Sequence, residues 1–313
     1  MNNLSPSIAS NSSLAVTDLW VGEVDFLQAH YLSTQLVQVP VKTTQGIIRQ
    51  VELTQNSFLQ LTQFYQLTQS CRENETAYVL FDTTYTTNTN WQLLTTTHSL
   101  EVINTLIQSA VNPADLLVLF KLIEGITNPA FRNFLWEVLG NPEIGVPFVS
   151  SPASLYHHHH LPGDLLAHSL ECAHIASGAM EAMLLPTNER EVTLIAALLH
   201  DIGKVRTFDA EGKRTLTGVF IDHNDLTLRV LDSELRKLES NYENGAVTLA
   251  YLLSWRFERE RIPKFPTASL VWVCDCLSAS LNLRKMGFEN KPDYFHYTEL
   301  KIGENRLWLN RLN

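Results

Sequence analysis

The chain has little cysteine and no pattern in it that would build a framework. Cys71, Cys172, Cys274 and Cys276 include no Cys-x-x-Cys pair, which excludes a disulfide scaffold. Long apolar runs are missing too. The longest are short stretches such as Leu194 to Leu199, far below the roughly 18 residues that cross a bilayer. The opening Met1-Asn-Asn-Leu-Ser lacks the basic-then-apolar layout of a signal peptide. Positive charge is scarce, with 23 Lys and Arg against 33 Asp and Glu, a net charge of −10. That balance disfavours broad adhesion to nucleic acid or to an anionic membrane. Hydrophobic residues, in contrast, make up 45% of the 313, which excludes a disordered tail or a collagen-like fibre. The expectation is a soluble protein of the reducing cytoplasm with no membrane partner and about two domains.

Composition changes along the chain. Residues 1–111 are rich in Thr, Gln, Asn and Ser, and their basic residues are only Lys42, Arg49 and Arg72. Strand-like stretches run from Leu19 to Phe26, Gln35 to Val41, Gly46 to Leu53, Ala77 to Phe81 and Trp91 to Leu94. Between the third and fourth, Phe58 to Leu67 has helical spacing. This predicts a small β-rich or α/β domain over 1–111. Trp20, Tyr31, Phe64, Tyr65 and Trp91 read there as core rather than as a stacking surface, since three basic residues do not make a nucleic-acid groove. From Asn112-Pro113 the pattern turns helical, with a second helix opening at Asn128-Pro129. Pro142, Gly145, Pro147, Ser150, Ser151 and Pro152 read as a loop, after which helices continue to about Leu283. The predicted class is therefore mainly α: an all-helical domain over 112–296 behind the β-rich one. A C-terminal hairpin follows over 297–313, turning at Gly303-Glu-Asn305.

Three segments carry polar groups where apolar ones are expected. His168 lies one turn into a helix, after Leu165, Leu166 and Ala167. The apolar run from Leu194 to Leu199 ends in His200 and Asp201, with Gly203 stopping the helix. Asp275 sits among Val271, Val273, Cys274 and Leu277. Buried imidazoles and carboxylates are costly unless something satisfies them. One divalent cation would satisfy all four. The mixed nitrogen and oxygen donors suit Mn, Fe, Co, Ni or Zn, and one ion is expected. Such an ion lowers the pKa of water and polarises a phosphoryl group. Asp201 is the candidate to orient the attacking water. Lys204 is the candidate to neutralise a phosphoryl oxygen or to close the helix end. His157 and His158, in the run His157 to His160, together with His223, are candidate substrate or second-metal contacts. Arg256, Arg259, Arg261 and Lys264 read as a solvated cluster diluted by Glu258 and Glu260. Cys274 and Cys276 read as small hydrophobes.

The order of His168, His200-Asp201 and Asp275, with the run Leu199-His-Asp-Ile-Gly-Lys204, resembles the HD-domain metal-dependent phosphohydrolases. The His-rich turn, Pro162-Gly163, Leu165-Leu166 and Ala167-His168-Ser169 narrow the likeness to two relatives. These are the YhaM-type 3′–5′ exoribonucleases and the HD-like TraI or MobH-type domain of conjugative relaxases. The likeness covers roughly residues 112–283 and implies a nuclease or nucleotide phosphohydrolase. It also implies an OB-like domain, degenerate here, in front of the helical one. The partner it implies is a phosphate-containing small molecule or a single-stranded nucleic acid. The relaxase likeness implies instead a non-catalytic module of a mobile element working with conjugation proteins. The exonuclease pattern has two further histidines, associated with a second metal, near Gly218-Val219 and within Leu252 to Arg256. Neither stretch holds a histidine here.

Overall fold

The computed structural model describes residues 19–71, 76–82, 90–96, 98–154, 161–209, 212–302 and 305–312. The chain begins with β1 (Leu19–Val24), β2 (His30–Tyr31), β3 (Leu36–Thr43) and β4 (Ile48–Thr54). Then come α1 (Gln55–Cys71), β5 (Thr76–Asp82) and β6 (Asn90–Thr96). The strands form one antiparallel sheet. β4 lies along one edge of β3, with Val51 opposite Val39. The other edge of β3 pairs with β2 and then β1, through His30 opposite Gln38 and Val24 opposite Val41. A 3-10 turn at Phe26–Gln28 therefore interrupts what is otherwise one strand. The Asp25 carboxylate accepts the amides of Leu27 and Gln28 and holds that turn. β5 takes the far edge of β1, and β6 follows it. With α1 between the third and fourth long strands, this is the succession of an OB-fold. Among the described residues no pairing of β4 with β6 closes the barrel.

Period-two alternation gives the sheet two apolar faces. Val37, Val39 and Val41 of β3 turn to one side. They pack with Val51, Leu53, Trp20, Val79 and Leu61 of α1 in a core of their own. Val21, Tyr78, Leu80 and Leu94 turn to the other side and join the larger core of the helices. Trp20 is thus core, as its sequence setting predicts, whereas Tyr31 is exposed and meets Phe58 in a T-shaped contact. The side chains of Phe64, Tyr65 and Trp91 lie outside the described residues.

The helical part runs through α2 (Leu100–Ser109), α3 (Pro113–Glu124), α4 (Pro129–Gly140) and α5 (Pro142–Ser150). Asn112, Asn128 and Asn141 each accept an amide two residues on, and each is followed by Pro at the first helical position. The first two starts agree with the sequence reading. The third corrects it, because Pro142 to Ser150 is a helix and not a loop. Burial of Ile144, Phe148 and Val149 outweighs the amide lost at Pro147. α2 is also a helix for which the sequence pattern made no claim.

Next come α6 (Asp164–Ala182), α7 (Thr187–Leu199), a 3-10 turn at Ile202–Arg206, α8 (Leu216–Phe220) and α9 (His223–Val230). α10 (Asp232–Asn241), α11 (Glu243–Ser254) and α12 (Thr267–Phe288) complete the helices. The chain ends in a hairpin of β7 (Tyr297–Ile302) and β8 (Asn305–Asn310). Ile302 faces Asn305, so the expected hairpin is present. Gly303 and Glu304 of its turn lie outside the described residues. Ala173 and Ala176 of α6 and Ala196 and Ala197 of α7 are fully buried. Side chains this small let neighbouring helices approach closely. The molecule is mainly α, with a strand-rich beginning and a strand hairpin at its end. No helix among the described residues is long and apolar enough to cross a membrane.

Candidate metal centre

Helices α6, α7 and α12 bring four side chains to one point. His168 comes from the first turn of α6, where Asp164 accepts the amide of Leu161 and fixes the helix start. His200 and Asp201 leave the C-terminal end of α7, and Asp275 sits midway along α12. One donor atom from each of the four lies within 4.8 Å of all the others. His168 Nε2 stands 3.4 Å from Asp201 Oδ2 and 3.2 Å from Asp275 Oδ1. His200 Nε2 stands 3.5 and 3.7 Å from the same two oxygens. Ligands about 2.1 Å from a common ion lie at most about 4.2 Å apart, so these separations fit one cation.

The hydrogen bonds aim both imidazoles inward. The Ala197 carbonyl can only accept, so His200 Nδ1 donates to it at 2.8 Å. In the neutral ring the lone pair then falls on Nε2, which is buried and has no hydrogen-bond partner. A buried nitrogen left unsatisfied against two carboxylates is what a cation site requires. His168 is oriented by a relay that the sequence reading missed. Ser278 Oγ lies 2.9 Å from His168 Nδ1 and 2.7 Å from Glu171 Oε2. Ser278 has one hydroxyl proton, and it goes to the carboxylate, so Ser278 accepts from His168 Nδ1. The spacing holds the only signal that could have found them. Glu171 is three residues beyond His168 and Ser278 three beyond Asp275, each on the same helix face as its neighbour.

Asp201 is the hub. Lys204 donates to its Oδ2 at 2.5 Å, and His223 Nε2 lies 3.1 Å from its Oδ1. Lys204 and His223 are therefore brought to the cluster. His157 and His158 lie outside the described residues. Burial opposes ionisation of Asp201, yet Lys204, His200, His168 and His223 hold its carboxyl well below the usual range. Burial likewise opposes ionisation of Asp275, and the neighbouring imidazoles of His168 and His200 bring its pKa down. Burial would keep His168 neutral, but Asp201 and Asp275 push it up to about 11. Asp275 has 41% of its side chain exposed while the other three are nearly enclosed, so the cluster opens on the Asp275 side.

A second donor set of His168, Cys172 and His200 shares the two imidazoles. Burial pushes the Cys172 thiol up, which keeps it protonated and a poor ligand beside two carboxylates. Burial pushes Cys274 up to about 12, and Cys276 is exposed. Neither belongs to a donor set among the described residues. The positions where the exonuclease likeness implies further histidines are filled otherwise. A Cβ on Gly218 would lie 2.4 Å from the Thr207 carbonyl oxygen, so no side chain fits there. Trp255 is a buried indole, a donor and not a metal ligand.

Comparison with known proteins agrees with this geometry. Residues 165–280 match the family model of the HD domain. The chain is 26% identical over 148 residues to the 3′–5′ exoribonuclease YhaM of Shouchella clausii, covering 45% of this chain and 46% of the relative. With the YhaM exoribonuclease of Listeria innocua it is 28% identical over 171 residues, 52% and 53% of the two chains. With that of Bacillus subtilis it is 25% identical over 167 residues, 51% and 52%. The chain thus spans about half the length of the curated relatives it matches. No solved structure matches it. The resemblance to HD-domain phosphohydrolases is upheld. The conjugative-relaxase reading and its conjugation partners gain no support from these relatives.

Proposed function

We propose that this HD-type chain is a metal-dependent phosphohydrolase acting on a nucleotide or nucleic-acid phosphoester. The carrying observation is the buried, unpartnered His200 Nε2 facing the Asp201 and Asp275 carboxylates, beside a His168 oriented in the same way. His168, His200, Asp201 and Asp275 would hold one divalent transition metal. When bound, that ion supplies Lewis-acid polarisation of the phosphoryl oxygen and a lower pKa for water. The chain's own residues do the rest. Asp201, fixed on both oxygens by Lys204 and His223, orients the attacking water. Lys204, held with 13% of its side chain exposed, offers a positive charge to the phosphoryl group as negative charge grows there. The part-exposed His223, 3.1 Å from Asp201 Oδ1, links the site to solvent and offers the water's proton a way out. The relatives' activity on RNA supports a nucleic-acid or nucleotide substrate here.

Metal analysis of tag-free protein should find about one transition-metal equivalent, lost on His200→Ala. With Mn added, one of a panel of nucleotides, cyclic dinucleotides, single-stranded RNA and single-stranded DNA should be hydrolysed. Asp201→Ala should abolish that turnover. If no substrate turns over, or if Asp201→Ala matches the parent, the enzymatic reading fails.

A further inference from the structure

On its open side the cluster borders a cleft of ≈ 200 Å³. His200 and Asp275 stand on the cluster side, and Trp255, Arg256, Trp272, Asn224 and the carboxylate of Glu258 are among the residues that line the rest. Two features of this cleft play no part in holding a cation. The first is an aromatic shelf. Trp272 lies three residues before Asp275 on α12, so it shares the Asp275 face one turn away, about 4.5 Å along the axis. Its ring stacks on Phe257 with centroids 5.0 Å apart and planes 8° from parallel. Phe257 in turn meets buried Trp255 edge-on. Trp272 and Phe257 remain 39% and 40% exposed, an arrangement that a core would not leave. The shelf is anchored at Trp255 and open at Trp272.

The second feature is a cation held by carbonyl groups. The Arg256 guanidinium donates to the carbonyls of Leu253 at 2.9 Å, Trp255 at 2.7 Å and Asn224 at 3.3 Å. These bonds hold it in a half-buried position with no carboxylate within ion-pair distance among the described residues, while Asp222, Asp225 and Asp201 act on its charge from farther away. A fixed, partly desolvated guanidinium is a phosphate-recognising group. The sequence reading had placed it in a solvated cluster. The structure half-buries it and places it on the cleft, with Arg259 still close enough to act on its charge.

We infer that this cleft is a subsite for one nucleoside phosphate. Its base lies on Trp272, and its phosphate lies between Arg256 and the Asp275 side of the cluster. The chemistry is shared by a free nucleotide and by the terminal unit of a single strand. A stacked base on one side and a point cation beside the cluster on the other select a planar ring joined to a phosphate. A bare phosphate or a sugar phosphate satisfies only half of the cleft. The inference rests on the phosphohydrolase reading for its orientation, and its test is one of binding, not of turnover.

The test measures binding of AMP, ribose 5-phosphate and a tetra-adenylate strand to tag-free protein by calorimetry, with AMP recovered intact on chromatography. AMP should bind roughly ten-fold tighter than ribose 5-phosphate, the size of effect a stacked base gives. Trp272→Ala should reduce that ratio to below about two-fold, with metal content and ribose 5-phosphate affinity kept. Trp272→Phe should restore most of the ratio. Arg256→Gln should weaken AMP and ribose 5-phosphate by the same factor. Tetra-adenylate binding with the same Trp272 dependence identifies a strand end as the source, and AMP binding alone identifies a free nucleotide. Equal affinity for AMP and ribose 5-phosphate, or a ratio untouched in Trp272→Ala, overturns the inference. Base-dependent binding without turnover leaves the subsite standing and removes the hydrolase. Turnover without base dependence does the reverse.

Discussion

Ser278 bears on the metal centre without touching it. Its hydroxyl proton is committed to Glu171, so it can only accept from His168 Nδ1, and that fixes His168 Nε2 as the inward donor. Removing such a partner from a ligating histidine typically costs 10–100-fold in metal affinity. Ser278→Ala fits the same space and should weaken Mn or Zn binding by roughly that range, measured by competition with a coloured chelator, with helical content unchanged. Affinity equal to the parent would show that the relay does not position the ring. The four cluster side chains were legible in the sequence because each is a polar group in an apolar stretch, where burial makes it conspicuous. Ser278 and Glu171 were not, because serine and glutamate on a helix are ordinary. Only their spacing of three from Asp275 and His168 marks them, and it gains meaning once those two are known to face each other. Trp272 was hidden for the same reason, as one more apolar residue in the run that holds Asp275.

At the scale of elements, the 3-10 turn after α7 is pressed directly onto the start of α9. A Cβ built on Gly203 would lie 2.0 Å from the His223 carbonyl oxygen and 2.9 Å from the Thr227 amide nitrogen. This contact sets His223 against Asp201, and Thr227 ties the two segments by bonding to the carbonyls of both His200 and His223. The obstructing atoms are backbone, which cannot step aside as a side chain would. Gly203→Ala should therefore cost about 1–3 kcal/mol in urea unfolding and reduce metal content, through displacement of α9. A variant as stable as the parent with full metal content would show that the two segments are not locked. The sequence marks Gly203 as a helix stop, but it cannot show which backbone comes close, since that partner is some twenty residues away. α5 teaches the converse. Pro142, Gly145 and Pro147 argue for a loop by composition. The spacing of Ile144 and Phe148 is helical, and burial of that face decided the matter. Gly145 adds a close joint with α4, where a Cβ would lie 2.0 Å from the Leu139 carbonyl oxygen.

For the whole molecule, the change of composition near residue 111 marks where strands give way to helices, but it does not mark an exposed linker. One sheet face, through Val21, Tyr78, Leu80 and Leu94, is continuous with the core that contains α3, α4 and α6. The other face has its own core around Val37, Val39 and Val41. That β3 and β5 are strands was legible. The destination of each face was not, because alternation fixes which residues share a side and not what covers it. A shared apolar core couples the two parts thermodynamically, so an ion held by α6, α7 and α12 should stabilise the sheet as well. Free metal at about 100 times its Kd adds about 2.7 kcal/mol to any unit that must unfold for the ion to leave. Hydrogen exchange read by mass spectrometry in rising urea should therefore show β1 and β5 losing protection at the same denaturant concentration as α7. Adding the metal should move both to higher urea by the same amount. If the strands exchange earlier and their midpoint ignores the metal, the sheet opens independently. The apolar face it shares with the helices would then be a docking contact and not a common core.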